Sequence, residues 1–178
     1  MKNLKFTLFL FISTTILSCS DSEEPTFELS NTNIAATYYI DRISSEKIET
    51  ATSSSGAVVN LSTTTSVGDS FDKINIVINS NGTYTASGGY RYVVTETPNG
   101  ANSETSYKII DFDASGTYQL NITDDTITFN EEAGNFIKGK FKINTFNQNS
   151  FTIEQEIVTF NNSNTITNNE SIKLIRKE

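Results

Sequence analysis

The run Ile74–Val94, INIVINSNGTYTASGGYRYVV, restricts this chain more than any other stretch, because its pattern fits a long β-hairpin. Ile74, Ile76 and Ile78 alternate with Asn75, Val77 and Asn79, the period-two pattern of a strand with one buried face. Ser80-Asn81-Gly82 supplies the turn, since Asn and Gly tolerate the positive φ of tight hairpin loops. A loop closed by a left-handed Gly82 sets Ile78 opposite Tyr84, whereas a shorter loop sets it opposite Thr85. Cross-strand apolar pairing favours the first register. The return strand places Tyr84, Ala86, Tyr90, Tyr92 and Val94 on one face, with Gly88-Gly89 marking a bulge or sharp bend.

Further strands are predicted on both sides. Ile34 to Lys47 reads as the first strand, with Tyr38, Ile40 and Ile43 inward and a bulge between the last two. Residues 49–70 read as a Ser/Thr/Gly-rich loop whose apolar patch is Val58–Leu61. Beyond the hairpin, Pro98-Asn99-Gly100 is a turn signal. Tyr107 to Phe112 is predicted as a strand with Tyr107, Ile109 and Asp111 on one side, broken at Asp113–Gly116. Tyr118, Leu120 and Ile122 alternate again, and a tight Asp124-Asp125 turn would set Ile122 against Ile127 and Leu120 against Phe129. Ile137, Gly139, Phe141 and Ile143 form the inner face of the next strand, answered by Phe151, Ile153 and Ile157, with Ile143 opposite Ile153. Residues 161–170 read as a polar loop before a last strand through Ile172 and Leu174. Eight to ten strands with short turns and no helical period make an all-β, antiparallel meander.

The residue inventory removes much chemistry. The chain has no His, so His-based triads and His metal sites are excluded. The one Cys, Cys19, excludes an intramolecular disulfide framework and Cys metal clusters. Asp111/Asp113, Asp124/Asp125, Glu131/Glu132 and Glu154/Glu156 are the candidates for acid–base work or Ca²⁺. Their simpler reading is turns and solvated faces. Asp111–Gly116 resembles a Ca²⁺ loop but lacks the later bidentate Glu. No enzyme and no cofactor are expected.

At the N-terminus, Lys2 and Lys5 precede an apolar run, Phe6–Leu17, too short to span a bilayer comfortably. Ile16-Leu17-Ser18-Cys19 resembles the end of a bacterial lipoprotein signal peptide, with the small Ser18 before the Cys; Ile16 and Leu17 depart from the usual Leu and small residue. The resemblance implies cleavage after residue 18 and lipidation of Cys19, palmitate among the acyl groups. An ordinary cleaved signal peptide with an incidental Cys is the alternative. Ser20–Pro25 is acidic and resembles the surface-export signal of lipoproteins in Bacteroidetes-type bacteria; the alternative is a solvated linker. Residues 19–33 are thus expected to be a tether on an outer-membrane, surface-exposed lipoprotein, with 34–178 as its domain. Losing Lys2 and Lys5 moves the formal charge from −8 to −10, which argues against nucleic acid and leaves membrane attachment to the acyl chains.

Over residues 34–177 the chain resembles a lipocalin-like domain of the small lipoproteins of Bacteroidetes-type bacteria. Ala36-Thr37-Tyr38-Tyr39-Ile40 stands where that family opens with Gly-x-Trp-x-Leu, so Ala36 and Tyr38 replace the Gly and the Trp. Ile76–Tyr84, Gly116–Phe129 and Ile143–Ile153 follow in the family's order. The resemblance implies an eight-stranded up-and-down barrel whose last strand, Ser171–Arg176, pairs with the first. Tyr38, Ile76, Tyr84, Tyr90, Tyr92, Tyr118, Phe129, Phe141 and Phe151 are the candidate barrel-lining residues. They either wall a cavity for a small hydrophobic or amphipathic ligand or simply fill the bore, leaving the surface as an interaction module. Small inward positions, Ala86, Gly88 and Gly139, discriminate: a binder keeps them open, a filled barrel covers them. A monomer is expected. Asp125-Thr126-Ile127 also matches the short O-glycosylation motif of such bacteria.

Overall fold

A computed structural model describes residues 27–161 and 163–178. The expected signal peptide, the Cys19 lipidation site and the acidic stretch 20–25 lie outside the described residues. The chain enters through a single helical turn, α1 (Asn31–Ile34), capped by the Ser30 hydroxyl, which accepts from the Asn33 N–H. Eight strands follow: β1 (Ala36–Thr52), β2 (Val58–Ile78), β3 (Thr83–Pro98), β4 (Glu104–Asn121), β5 (Thr126–Ala133), β6 (Gly139–Phe146), β7 (Ser150–Asn161) and β8 (Asn164–Arg176). Each pairs antiparallel with the next, and β8 returns to β1, closing an up-and-down barrel. Every residue of the buried core, and every partly buried residue packed on it, lies at Leu29 or later.

The opening hairpin forms in the predicted register. Ile78 stands opposite Tyr84, and Gly82 takes φ +86° in the loop. Gly88 and Gly89 face an irregular stretch of β2, where Ser70 and Lys73 take positive φ and the register slips twice. Gly88 lets β2 approach: a Cβ there would sit 2.8 Å from the Ile74 Cα. The bulge between Ile40 and Ile43 is present, as is Ile143 opposite Ile153.

Several expectations fail, mostly because polar sequence was read as loop. Ile34 belongs to α1 and not to the first strand. Residues 49–70 are almost entirely strand, since β1 runs to Thr52 and β2 starts at Val58. Residues 161–170 likewise continue the β7–β8 hairpin to its Asn161–Asn164 rung. Thr, Ser and Asn satisfy a strand as readily as a loop when the neighbouring strand offers backbone partners. β4 runs through Asp113–Gly116 without a break, so the Ca²⁺-loop resemblance falls on extended strand. That continuity puts Phe112 and Ala114 in phase with the buried Tyr118, while Tyr107 and Ile109 face out, each 66% exposed. Tyr107, Ile109 and Asp111 share one side, as expected, and it is the outer one. The β4–β5 turn is longer than predicted: Leu120 pairs with Ile127 and Tyr118 with Phe129, leaving Ile122 63% exposed. The Asn121 side chain holds this turn by accepting from the Thr123 and Asp124 N–H groups. Ile157, expected inside, is 43% exposed.

Strand lengths divide the barrel in two. At the end bearing α1, all eight strands pair. Toward the other end β5 and β6 stop early: β5 pairs with β4 only from Ser115 onward, and β6 pairs with β7 only as far as the Lys142–Glu154 rung. The remaining strands continue as a curved sheet in the order β7-β8-β1-β2-β3-β4, open along one side. We call these the closed and the open half.

Gly116 sits where β5 passes close to β4, since a Cβ there would clash with the Asn130 carbonyl oxygen. The nearest atoms are all β5 backbone, which cannot rotate aside. Gly116→Ala is therefore expected to destabilise the fold by about 1–3 kcal/mol. Urea unfolding checks this, and an unchanged midpoint would contradict the close approach.

Candidate functional site

Inward-facing side chains are the first place to seek function in such a barrel. Tyr38, Ile76, Tyr84, Tyr118, Phe129, Phe141 and Phe151 all point into the closed half and are at most 4% exposed. They pack on one another edge to face: Tyr38 with Phe151 and Tyr84 with Phe129, both at 5.1 Å, and Phe129 with Phe141 at 6.1 Å. Ile34 from α1 stoppers the end and is fully buried.

The phenol hydroxyls in this half are already used. Tyr38 donates to the Ile34 carbonyl at 2.7 Å, Tyr118 to Asn79 at 2.7 Å and Tyr84 to Ile137 at 3.2 Å. Each tyrosine thus fills the bore with its ring and ties down a connecting segment with its oxygen. The small inward positions are covered as well. Ala86 is 1% exposed, Gly88 lies against Ile74, and Gly139 lies under the Gln155 amide. By the criterion above, the closed half is a filled barrel.

Midway up, the β5–β6 connection folds inward. Ile137 is buried, and Phe136 stacks on Phe112 with centroids 4.2 Å apart. Phe112 and Phe71 flank Tyr90 at 6.1 and 6.2 Å, and Tyr90 meets Tyr92 edge to face at 4.9 Å. This second aromatic layer is the floor of the open half. Tyr90 is buried and Tyr92 half-buried. They are the two candidate lining residues that lie in this layer and not in the closed half.

Above this layer the inner face is polar and reached by solvent. Ser106, Lys108 and Ile157 face inward by register, yet are exposed. Glu170 is the deepest charged group there. It stands opposite Ser45 on β1 and Gln155 on β7, two residues before the buried Ile172 on the same face. Burial raises its carboxyl above the usual carboxylate range. Its charge in turn helps raise the Tyr90 and Tyr92 phenols, although burial is the larger cause for both. Sequence reasoning missed Glu170, Phe71, Phe112 and Phe136. The alternation of β4, carried back from Tyr118, would have found Phe112. Glu170 gave no such signal, because its strand was read as a polar loop.

A second concavity, of about 580 Å³, lies across β6, β7, β8, β1 and β2. The outward Ser44, Val67, Lys142, Glu154 and Glu156 line it, and so does Glu170. Arg91 lies outward, bound to Asp69 at 2.7 Å, and Arg42 is exposed. Thr126 of the glycosylation motif is only 9% exposed, which withholds its hydroxyl from a transferase. Among the described residues no cluster of acidic side chains is arranged to hold a metal ion. No family model, curated protein or solved structure matches the chain.

The buried phenols make alkaline pH a probe of this interior. Burial, with the Glu131 and Glu132 charges adding, pushes Tyr84 up to about 12. An unfolded tyrosine releases its proton near pH 10, so the unfolded state loses protons first as pH rises. Stability contributed by the protonated phenol is complete below about pH 10 and is lost as pH approaches 12. Tyr84→Phe is expected to flatten the fall in unfolding free energy over that interval. Urea titrations at stepped pH measure it, and an unaltered slope would remove Tyr84 as its source.

Proposed function

We propose that this chain is a lipid-anchored envelope protein that binds, without catalysis, a small amphipathic molecule in the open half of its barrel. The observation that carries this reading is the division of the bore. A filled, stoppered half supplies rigidity, and above it an aromatic floor and a partly buried carboxylate border space that solvent enters. Such a mix of apolar wall and few polar groups is characteristic of small-molecule sites. Attachment rests on the resemblance around Cys19, a display site on the outer membrane on the acidic stretch after it, and the lipocalin-like assignment on the ordered segments quoted above. The closed up-and-down barrel is compatible with that assignment.

The second concavity favours an alternative reading, a surface interaction module whose barrel is only a scaffold. Native mass spectrometry on residues 20–178, which carry every core residue, separates the two. A mass excess retained under native conditions, lost on denaturation and abolished by Tyr92→Ala supports binding in the open half. An apo mass that persists after incubation with alkyl ligands favours the surface module. For the anchor, wild-type protein is expected to partition into detergent and take up labelled palmitate, and Cys19→Ser to do neither. Equal labelling of both would overturn lipidation at that residue.

A further inference from the structure

We propose that the open half takes ligands carrying a cationic nitrogen, an amine or guanidinium on a hydrocarbon body, with Glu170 as counter-charge and Tyr90 and Tyr92 as aromatic walls. This rests on the reading of the open half as a binding site and names the ligand class it admits. The argument begins with an imbalance. Lys47, Glu49, Glu96, Glu104, Lys108 and Glu170 face this space by register, so acids outnumber bases there. Among the described residues the only ion pairs are Arg91–Asp69 and Lys173–Asp41, so neither inward lysine neutralises Glu170.

Glu49 is partly engaged, accepting from the Asn164 amide at 2.8 Å. Glu170 has no comparable partner: among the described residues no side chain or backbone N–H donates to its carboxylate. The neighbouring Gln155 amide directs one N–H to the Lys140 carbonyl at 3.0 Å, and neither is bonded to Glu170. The Glu170 oxygens still reach solvent, so a ligand nitrogen can replace water at a carboxylate whose charge partial burial disfavours. Beside it stand two tyrosine rings, whose faces attract cations. A cationic head with an apolar body satisfies both features: its nitrogen donates to Glu170, and its carbon chain lies on Tyr92, Val94 and Ile157, which share this inner face.

Titration calorimetry with octylammonium, octanol and octanoate at pH 7 tests the proposal on residues 20–178. The wild-type protein is expected to bind octylammonium about tenfold or more tighter than octanol, and octanoate more weakly than either. Glu170→Gln is nearly isosteric, and removing an unpaired charge should leave the fold intact by circular dichroism. It is expected to abolish the preference while leaving octanol binding unchanged. Glu156→Gln makes the same charge change on the outer face and is expected to have no effect. Equal binding of octanol and octylammonium, insensitive to Glu170→Gln, would overturn the cationic preference and leave the open-half site standing. Loss of the preference in Glu156→Gln, alone or together with Glu170→Gln, would place the site in the groove that both residues line and overturn the proposal. Binding of none of the three would overturn both the ligand class and the open-half site.

Discussion

Everything in this molecule depends on the seam between β1 and β8. A meander of eight strands has two free edges, and only pairing the last strand with the first removes them. Here the seam runs from Tyr38–Arg176 to Ala51–Asn164, the full length of β8 and nearly all of β1, with one bulge at Asp41. Its closed end is secured by Arg176. The guanidinium donates to the Asn33 carbonyl of α1 and to the Tyr38 hydroxyl, and lies over the Tyr38 ring at 5.8 Å. One residue of the last strand thus holds the first strand, the entry helix and the stopper Ile34 together. The Tyr38 hydroxyl completes the arrangement by donating to the Ile34 carbonyl. Because these contacts join chain segments far apart in sequence, they can form only when the barrel closes.

The two halves of the barrel follow from a difference in strand length. β5 and β6 have 8 residues each, against 21 for β2 and 18 for β4. Where all eight strands are present, the interior is just wide enough for side chains to fill it. Isoleucines, tyrosines and phenylalanines do so, with the phenol oxygens spent on turn carbonyls. Where β5 and β6 end, the wall has a gap, water enters, and the inward positions change to Ser, Thr, Asn, Lys and Glu. The Gly134–Lys138 connection marks the boundary by tucking Ile137 into the core and Phe136 onto Phe112. Function is sought above that boundary because below it no side chain is left free to meet a ligand.

Parts of this were legible from residue order. The Ser80–Gly82 loop and the apolar pairing of Ile78 with Tyr84 made the register of the β2–β3 hairpin legible, since a positive-φ glycine and cross-strand pairing are local properties. The Ile40–Ile43 bulge and the Ile143–Ile153 rung were legible for the same reason. The long polar strands were not. Residues 58–70 and 164–170 are rich in Ser, Thr and Asn, whose local preferences suit turns, and only the backbone partners offered by β1, β3 and β7 make them strands.

The missed inward position of Phe112 has a related cause. Asp113–Gly116 carries the composition of a turn, so the phase of Tyr118 was not carried back to Phe112. In the folded chain Gly116 is there because β5 passes too close for a side chain. Sequence by itself determined the all-β character, the tight turns, the aromatic core and the absence of His chemistry. Those depend on residue type and short-range spacing. Tertiary structure decided where β5 and β6 stop, which half is filled, and that Glu170 lies inside. Those depend on which strand stands beside which, and pairing between distant segments is not written in the local pattern of either one.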